Sequence, residues 1–218
     1  STNFVHCDDR GRIWVCVSTR QASSHRPDYR FSSTQDDGYI ALVDEKGARI
    51  VAEGLVWTNE CRVSPSGSHL YVNETMARRL TRFAIAADGS LGARETVTHF
   101  EDGTWPDGLA FDVEGGVWIT SIISNRVIRV APDGTQQLIL EDCDQQHVDQ
   151  TERAFLAGEL TREAIYNSPS NVLKHLSSLA FGGPDLQTVF LGSLHGTSIP
   201  YFRSEIAGQP MAHWKVRV

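Results

Sequence analysis

The sequence predicts an all-β fold, a β-propeller with about four blades along 218 residues. Three observations carry this: a glycine turn leading into an aromatic-bearing strand that recurs along the chain, a second hairpin behind each of the first three copies, and a short polar residue at a fixed offset before the turns. The turn at Asp9-Arg10-Gly11 opens the strand Arg12-Ile13-Trp14-Val15. Pro65-Ser66-Gly67 opens His69-Leu70-Tyr71-Val72, and Glu114-Gly115-Gly116 opens Val117-Trp118-Ile119. Gly183-Pro184-Asp185 before Val189-Phe190-Leu191 is a looser fourth copy. Each reads as an apolar strand, an Asx, Gly or Pro turn, and a β-branched and aromatic return strand.

The second hairpins turn at Asp44-Glu45-Lys46-Gly47, at Ala87-Asp88-Gly89 and at Pro132-Asp133-Gly134. Two hairpins per unit make a four-stranded antiparallel blade, and repetition of such units marks a propeller. A sandwich is the competing all-β architecture, but it does not call for the same double hairpin again and again. Residues 149–166 interrupt the repeat, with Phe155, Leu156 and Leu160 at helical spacing. This is a helical insertion between blades, read as a surface excursion, with a lid or substrate wall as the alternative. The polar stretch Gln21 to Asp37 reads as a mobile connection bordering the same face.

Composition narrows the function. Twenty Lys and Arg against 27 Asp and Glu give a net charge of −7, and the scattered cations argue against a phosphate-tracking nucleic-acid binder. No apolar run is long enough for a helical membrane span. Cys7, Cys16, Cys61 and Cys143 lack zinc spacing and read as unpaired thiols of a reducing, cytoplasmic setting, with a Cys7–Cys16 bridge as the alternative.

Register supplies the candidate site. Asn3, Asn59 and Asp107 each lie eight residues before their turn glycines, Gly11, Gly67 and Gly115. Ser178 precedes Phe190 by 12 residues, as Asn59 precedes Tyr71. The first strand of each blade lines a propeller's channel, so these positions form a ring of oxygen-bearing side chains. Such a ring suits a hard cation, calcium first and magnesium or zinc after it; local backbone bonding is the structural alternative. Strand alternation directs Glu60 away from Asn59's side, and Glu74 is placed to reach the channel mouth. Arg20, following the first aromatic strand, is a candidate contact for an acidic substrate. His195 reads as a surface or capping residue. No Gly-x-Ser-x-Gly elbow surrounds Ser178 or Ser193, which argues against a nucleophilic serine.

At these residues the chain resembles the senescence-marker-protein/gluconolactonase/luciferin-regenerating-enzyme family of six-bladed propellers. The carriers are Asn3 with Arg10 to Trp14, Thr58-Asn59-Glu60 with Ser64 to Gly67 and Leu70-Tyr71-Val72, Trp105-Pro106-Asp107-Gly108 through Asp112, and Ser177-Ser178 through Asp185. The resemblance implies a hydrolase that opens sugar lactones or related cyclic esters with one divalent cation. It implies Asn59 and Asp107 as metal ligands, Asp107 as general base, and Asn3 as a substrate contact. The family's substrate-binding Arg corresponds to Ser1, and its remaining ligand, a Glu in the first blade, has no counterpart. With four units of six, the chain is expected to be a fragment lacking N-terminal blades, with His213-Trp214 resembling the end of the last blade. A non-enzymatic propeller binding calcium or a small molecule is the alternative from another functional class.

Overall fold

The computed structural model describes residues 1–211 and Trp214. Among the described residues fifteen strands form four antiparallel sheets, each a meander of consecutive strands. Blade 1 holds β1 (Thr2–Cys7), β2 (Ile13–Val17), β3 (Gly38–Asp44) and β4 (Gly47–Leu55). Blade 2 holds β5 (Thr58–Val63), β6 (His69–Glu74), β7 (Arg79–Ile85) and β8 (Leu91–His99). Blade 3 holds β9 (Trp105–Phe111), β10 (Val117–Ile122), β11 (Arg126–Val130) and β12 (Gln136–Glu141). Blade 4 has three strands, β13 (Leu176–Gly182), β14 (Thr188–Ser193) and β15 (Tyr201–Arg203). The strands β1, β5, β9 and β13 stand side by side as the inner wall. The double hairpins are those the turn chemistry predicts.

Adjacent blades share cores. Trp14, Cys16, Ile40 and Leu42 meet Cys61, Leu70 and Val72 between blades 1 and 2. Leu80 and Tyr71 meet Leu109, Phe111 and Ile119 between blades 2 and 3, and Trp118 and Val127 meet Leu179, Phe181 and Val189 between blades 3 and 4. The turn that opens each aromatic strand is tied by a buried carboxylate where the sequence offers one. Asp112 accepts hydrogen bonds from Glu114 N, Gly116 N, Trp118 Nε1 and Arg129 Nε at 2.7–2.9 Å. Asp8 repeats the pattern with Arg10 N, Arg12 N, Arg12 Nε and Trp14 Nε1 at 2.7–3.0 Å. All four cysteines are free. The Cys7–Cys16 bridge does not form, because Cys7 pairs with Ile13 across the hairpin while Cys16 faces Phe4.

The insertion folds as α1 (Gln145–Leu156), capped by Asp144, and α2 (Arg162–Tyr166), capped by Thr161. It is not a detached surface excursion. Val148, Phe155, Leu160 and Ile165 pack with Trp105, Met76, Ile122 and Ile123 at one end of the inner strands. Arg78 ties it down through Glu152 at 2.7 Å and lies over the Trp105 and Phe155 rings. The 21–37 connection is likewise anchored, with Phe31 buried in that cluster and Phe31 N bonded to Leu160 O at 2.9 Å. His213 lies outside the described residues. No described helix is long and apolar enough to cross a membrane.

Candidate active site

The same defect recurs in all four inner strands. Between Thr2 and Phe4, between Thr58 and Cys61, between Pro106 and Leu109, and between Leu176 and Ser178 the pairing slips by one residue. These are β-bulges, which leave one residue unpaired and redirect side chains. They fall at Asn3, at Asn59-Glu60, at Asp107-Gly108 and at Ser177. Three members of the polar ring, Asn3, Asn59 and Asp107, therefore sit on bulges, and the fourth, Ser178, directly follows one.

A bulged strand has backbone groups that the ladder cannot satisfy, and buried groups of that kind need other partners. Side chains of the neighbouring elements supply them. Ser18 Oγ donates to Thr58 O at 2.9 Å, and Asn73 Nδ2 donates to Asp107 O and Gly108 O at 2.9 and 3.2 Å. Thr75 Oγ1 donates to Pro106 O at 2.7 Å, and Thr120 Oγ1 accepts from Gly108 N at 2.8 Å. Asn73, Thr75 and Thr120 are fully buried for this purpose.

The bulges also decide where the acids point. Sequence alternation turned Glu60 away from the channel, but the slipped register brings it to the same cavity as Asn59. Its Oε2 accepts from Leu109 N at 3.1 Å and lies 3.7 Å from Arg62. Burial pushes its carboxyl up to about 7, with Arg62 and the Leu109 amide pulling back. Burial raises Asp107 well above the usual carboxylate range; the Glu60 charge adds to this, and a hydrogen bond from Asn59 opposes it. Glu74 does not reach the channel. It is fully buried and committed to Arg79, Thr81 and Val56 N at 2.6–2.8 Å.

Asn3, Asn59, Asp107 and Ser178 line one cavity of about 380 Å³ with Glu60. Asn3 is held by Nδ2 to Ser18 Oγ at 3.0 Å, and Asn59 by Nδ2 to Thr75 Oγ1 at 3.0 Å. Thr75 has given its only hydroxyl proton to Pro106, so it must accept from the Asn59 amide. That fixes the amide's orientation and leaves Oδ1 as its acceptor. Arg20 lies outside this group, ion-paired with Glu53 and 4.5 Å from the Tyr39 ring centre on blade 1's own outer strands. Those two partners hold the guanidinium away from the cavity, where the sequence had suggested a substrate contact.

Three further lining residues escaped the sequence reading. Arg162 and Tyr166 come from α2, and His175 from the approach to β13. Arg162 was legible only as part of an insertion, and His175 carried no spacing signal. His175 is 2 % exposed, adopts φ 65°, and stacks on Tyr166 with ring centres 5.5 Å apart. Burial, helped by His195, holds its imidazole down to about 4, so it is neutral at physiological pH.

The profile of the SMP-30/Gluconolactonase/LRE-like region matches residues 1–141. The chain belongs to this family. A 6-deoxy-6-sulfogluconolactonase of Pseudomonas putida is 32% identical over 103 residues, 46% of this chain and 35% of that protein. Among solved structures, a luciferin-regenerating enzyme superposes with a TM-score of 0.68 at 16% identity, covering 97% of this chain and 64% of the other. Regucalcin of Agrobacterium tumefaciens strain C58, described as a calcium-binding protein, gives 0.64 at 17%, covering 96% and 63%. These likenesses show the propeller fold. The chain spans 35% to 52% of the length of the curated relatives it matches.

The family implies a divalent cation, and the residues at the bulges fit one. Asp107 has no cationic partner among the described ion pairs, and its carboxyl is pushed up partly by a second carboxylate, a repulsion that a cation relieves. The donors are an amide and carboxylates, the set that hard cations prefer. Among the described residues no three His, Cys, Asp or Glu gather as a ligand cluster.

Proposed function

We propose that this cavity opens the ester of a sugar lactone or similar cyclic ester with water. The observation that carries the reading is the Asp107 carboxylate, held by a bulge without a cationic partner and sharing one cavity with Asn59, Glu60, Asn3 and Ser178. The sugar-lactone class is supported by family membership and by the name of the Pseudomonas relative.

Asn59 and Asp107 would hold a divalent cation, calcium by the hardness of the donors. When bound, it polarises the ester carbonyl and takes up oxyanion charge. Asp107 takes a proton from the attacking water, whose oxygen bonds to the carbonyl carbon. The ring C–O bond then breaks, and the departing alkoxide takes back the proton that Asp107 holds, leaving the open sugar acid and an ionised Asp107. Asn3, its amide fixed by Ser18, and Ser178 orient hydroxyl oxygens of the ring. Trp57, Phe31 and Ile165 supply apolar lining to the same cavity.

Asp107→Asn keeps the shape of the site and removes the base. It should lower lactone turnover at least ~100-fold, the usual worth of a general base, in a proton-release assay with calcium present. Turnover within a factor of two of the parent would remove Asp107 from this role.

A further inference from the structure

The cavity has a second polar wall, supplied by the lid rather than the blades. Arg162 is half-buried there, and no carboxylate pairs with it among the described residues. Its Nε donates to Ser24 O and its Nη1 to Tyr166 Oη at 3.0 Å. Phe31, Trp57 and Tyr166 surround the guanidinium, with ring centres 5.5–5.8 Å away. Two of the five N–H donors of an arginine are thus used, and the aromatic sheath fixes the plane of the rest. Leaving a cation half-desolvated without a counter-charge is costly, and the protein's other interior arginines all have one. Arg78 pairs with Glu152, Arg79 with Glu74, and Arg129 with Asp112.

His175 adds an independent observation. It lines the same wall beside Tyr166, its Nδ1 is buried without a hydrogen-bond partner, and its backbone is in the left-handed region. Such a backbone conformation is strained and persists only where the surroundings impose it. Its neutral ring offers one donor and one acceptor.

We infer that Arg162, with Tyr166 and His175, forms a subsite for an anionic substituent of the substrate, on a different wall of the cavity from the Asp107 that activates the attacking water. The substrate class is then a lactone carrying a carboxylate, sulfonate or phosphate, which supplies the counter-charge that the protein lacks. Arg is suited to this by its planar fork, and the aromatic sheath pre-orients it. Tyr166 Oη, already accepting from Arg162, can give its own proton to the same anion. The inference rests on the lactonase reading and refines its substrate.

The test compares glucono-1,5-lactone with its 6-phosphate ester. The protein should show kcat/KM for the phosphate ester ~10- to 100-fold above that for the neutral lactone, the worth of charge-assisted hydrogen bonds. Arg162→Gln should bring the ratio close to one, and Arg162→Lys should leave it between the two. Thermal unfolding of both variants checks that the lid still folds. A ratio near or below one in the parent protein overturns the subsite and leaves the lactonase reading standing. Hydrolysis of neither ester, with calcium bound, overturns that reading and the subsite with it. A ratio unchanged by Arg162→Gln, in a folded variant, removes Arg162 from recognition.

Discussion

Asp107 and Glu60 share a wall, and burial makes ionisation of either one expensive. The sign of the consequence follows from linkage. Between about 4.5 and about 7 the folded chain keeps a proton on Glu60 that the unfolded chain has shed. Glu60 therefore draws stability down as pH rises through that window. His175 acts oppositely: its folded value of about 4 lies below the ordinary 6.5, so its contribution is lost as pH falls between them. Urea midpoints at several pH values, without added cation, should fall more steeply for the parent than for Glu60→Gln. Identical slopes would mean that Glu60 is solvated and not held in the wall. Calcium should restore stability at pH 7, because a cation favours the ionised carboxylates.

At the scale of elements, the decisive features are the hairpin turn and the bulge. The turn was legible. Gly11, Gly67 and Gly115 marked the hairpins, and the aromatic strands behind them carry the buried Trp14 and Trp118. Asp112 shows what the turn is worth. Its replacement by Ala leaves the Trp118 indole N–H unpaired and Arg129 with only the exposed Glu114 as counter-charge, and should cost about 3 kcal/mol in urea unfolding. Asp185→Ala, which breaks the exposed Asp185–Arg203 pair in the blade 4 turn, should move the urea midpoint far less, because solvent screens that pair. Equal costs would contradict the burial argument. The bulges were not legible, because an extra residue in an inner strand leaves no composition mark. Alternation then misdirected Glu60, although the register count still found Asn3, Asn59, Asp107 and Ser178. Gly108 tests the bulge itself. An added Cβ would sit 2.7 Å from Ser177 O and Ser178 Cα on blade 4. Gly108→Ala should therefore lower both the unfolding midpoint and turnover, and a variant with parental values of both would show that the blades can part there without cost.

Across the whole molecule, the blades are joined by large apolar side chains that alternate between neighbouring sheets, while polar side chains gather at one end of the inner strands. Closure of that end depends on two segments far apart in sequence, 21–37 and 145–166, which meet through Arg30 and Thr161. The sequence showed the second as helical and the first as polar. Their mutual pairing could not be read, since it rests on Phe31 and Leu160 finding one cluster. Lid and blades together give the cavity two opposed chemistries, acids with amides on the bulges and a guanidinium on the lid. The most direct test of a cation-assisted lactone-opening site is proton release from a sugar lactone before and after chelation. Turnover should vanish with the chelator, return with added calcium, and stay absent from Asp107→Asn under both conditions. Turnover indifferent to the chelator, or a calcium-loaded protein that opens no lactone, would contradict it.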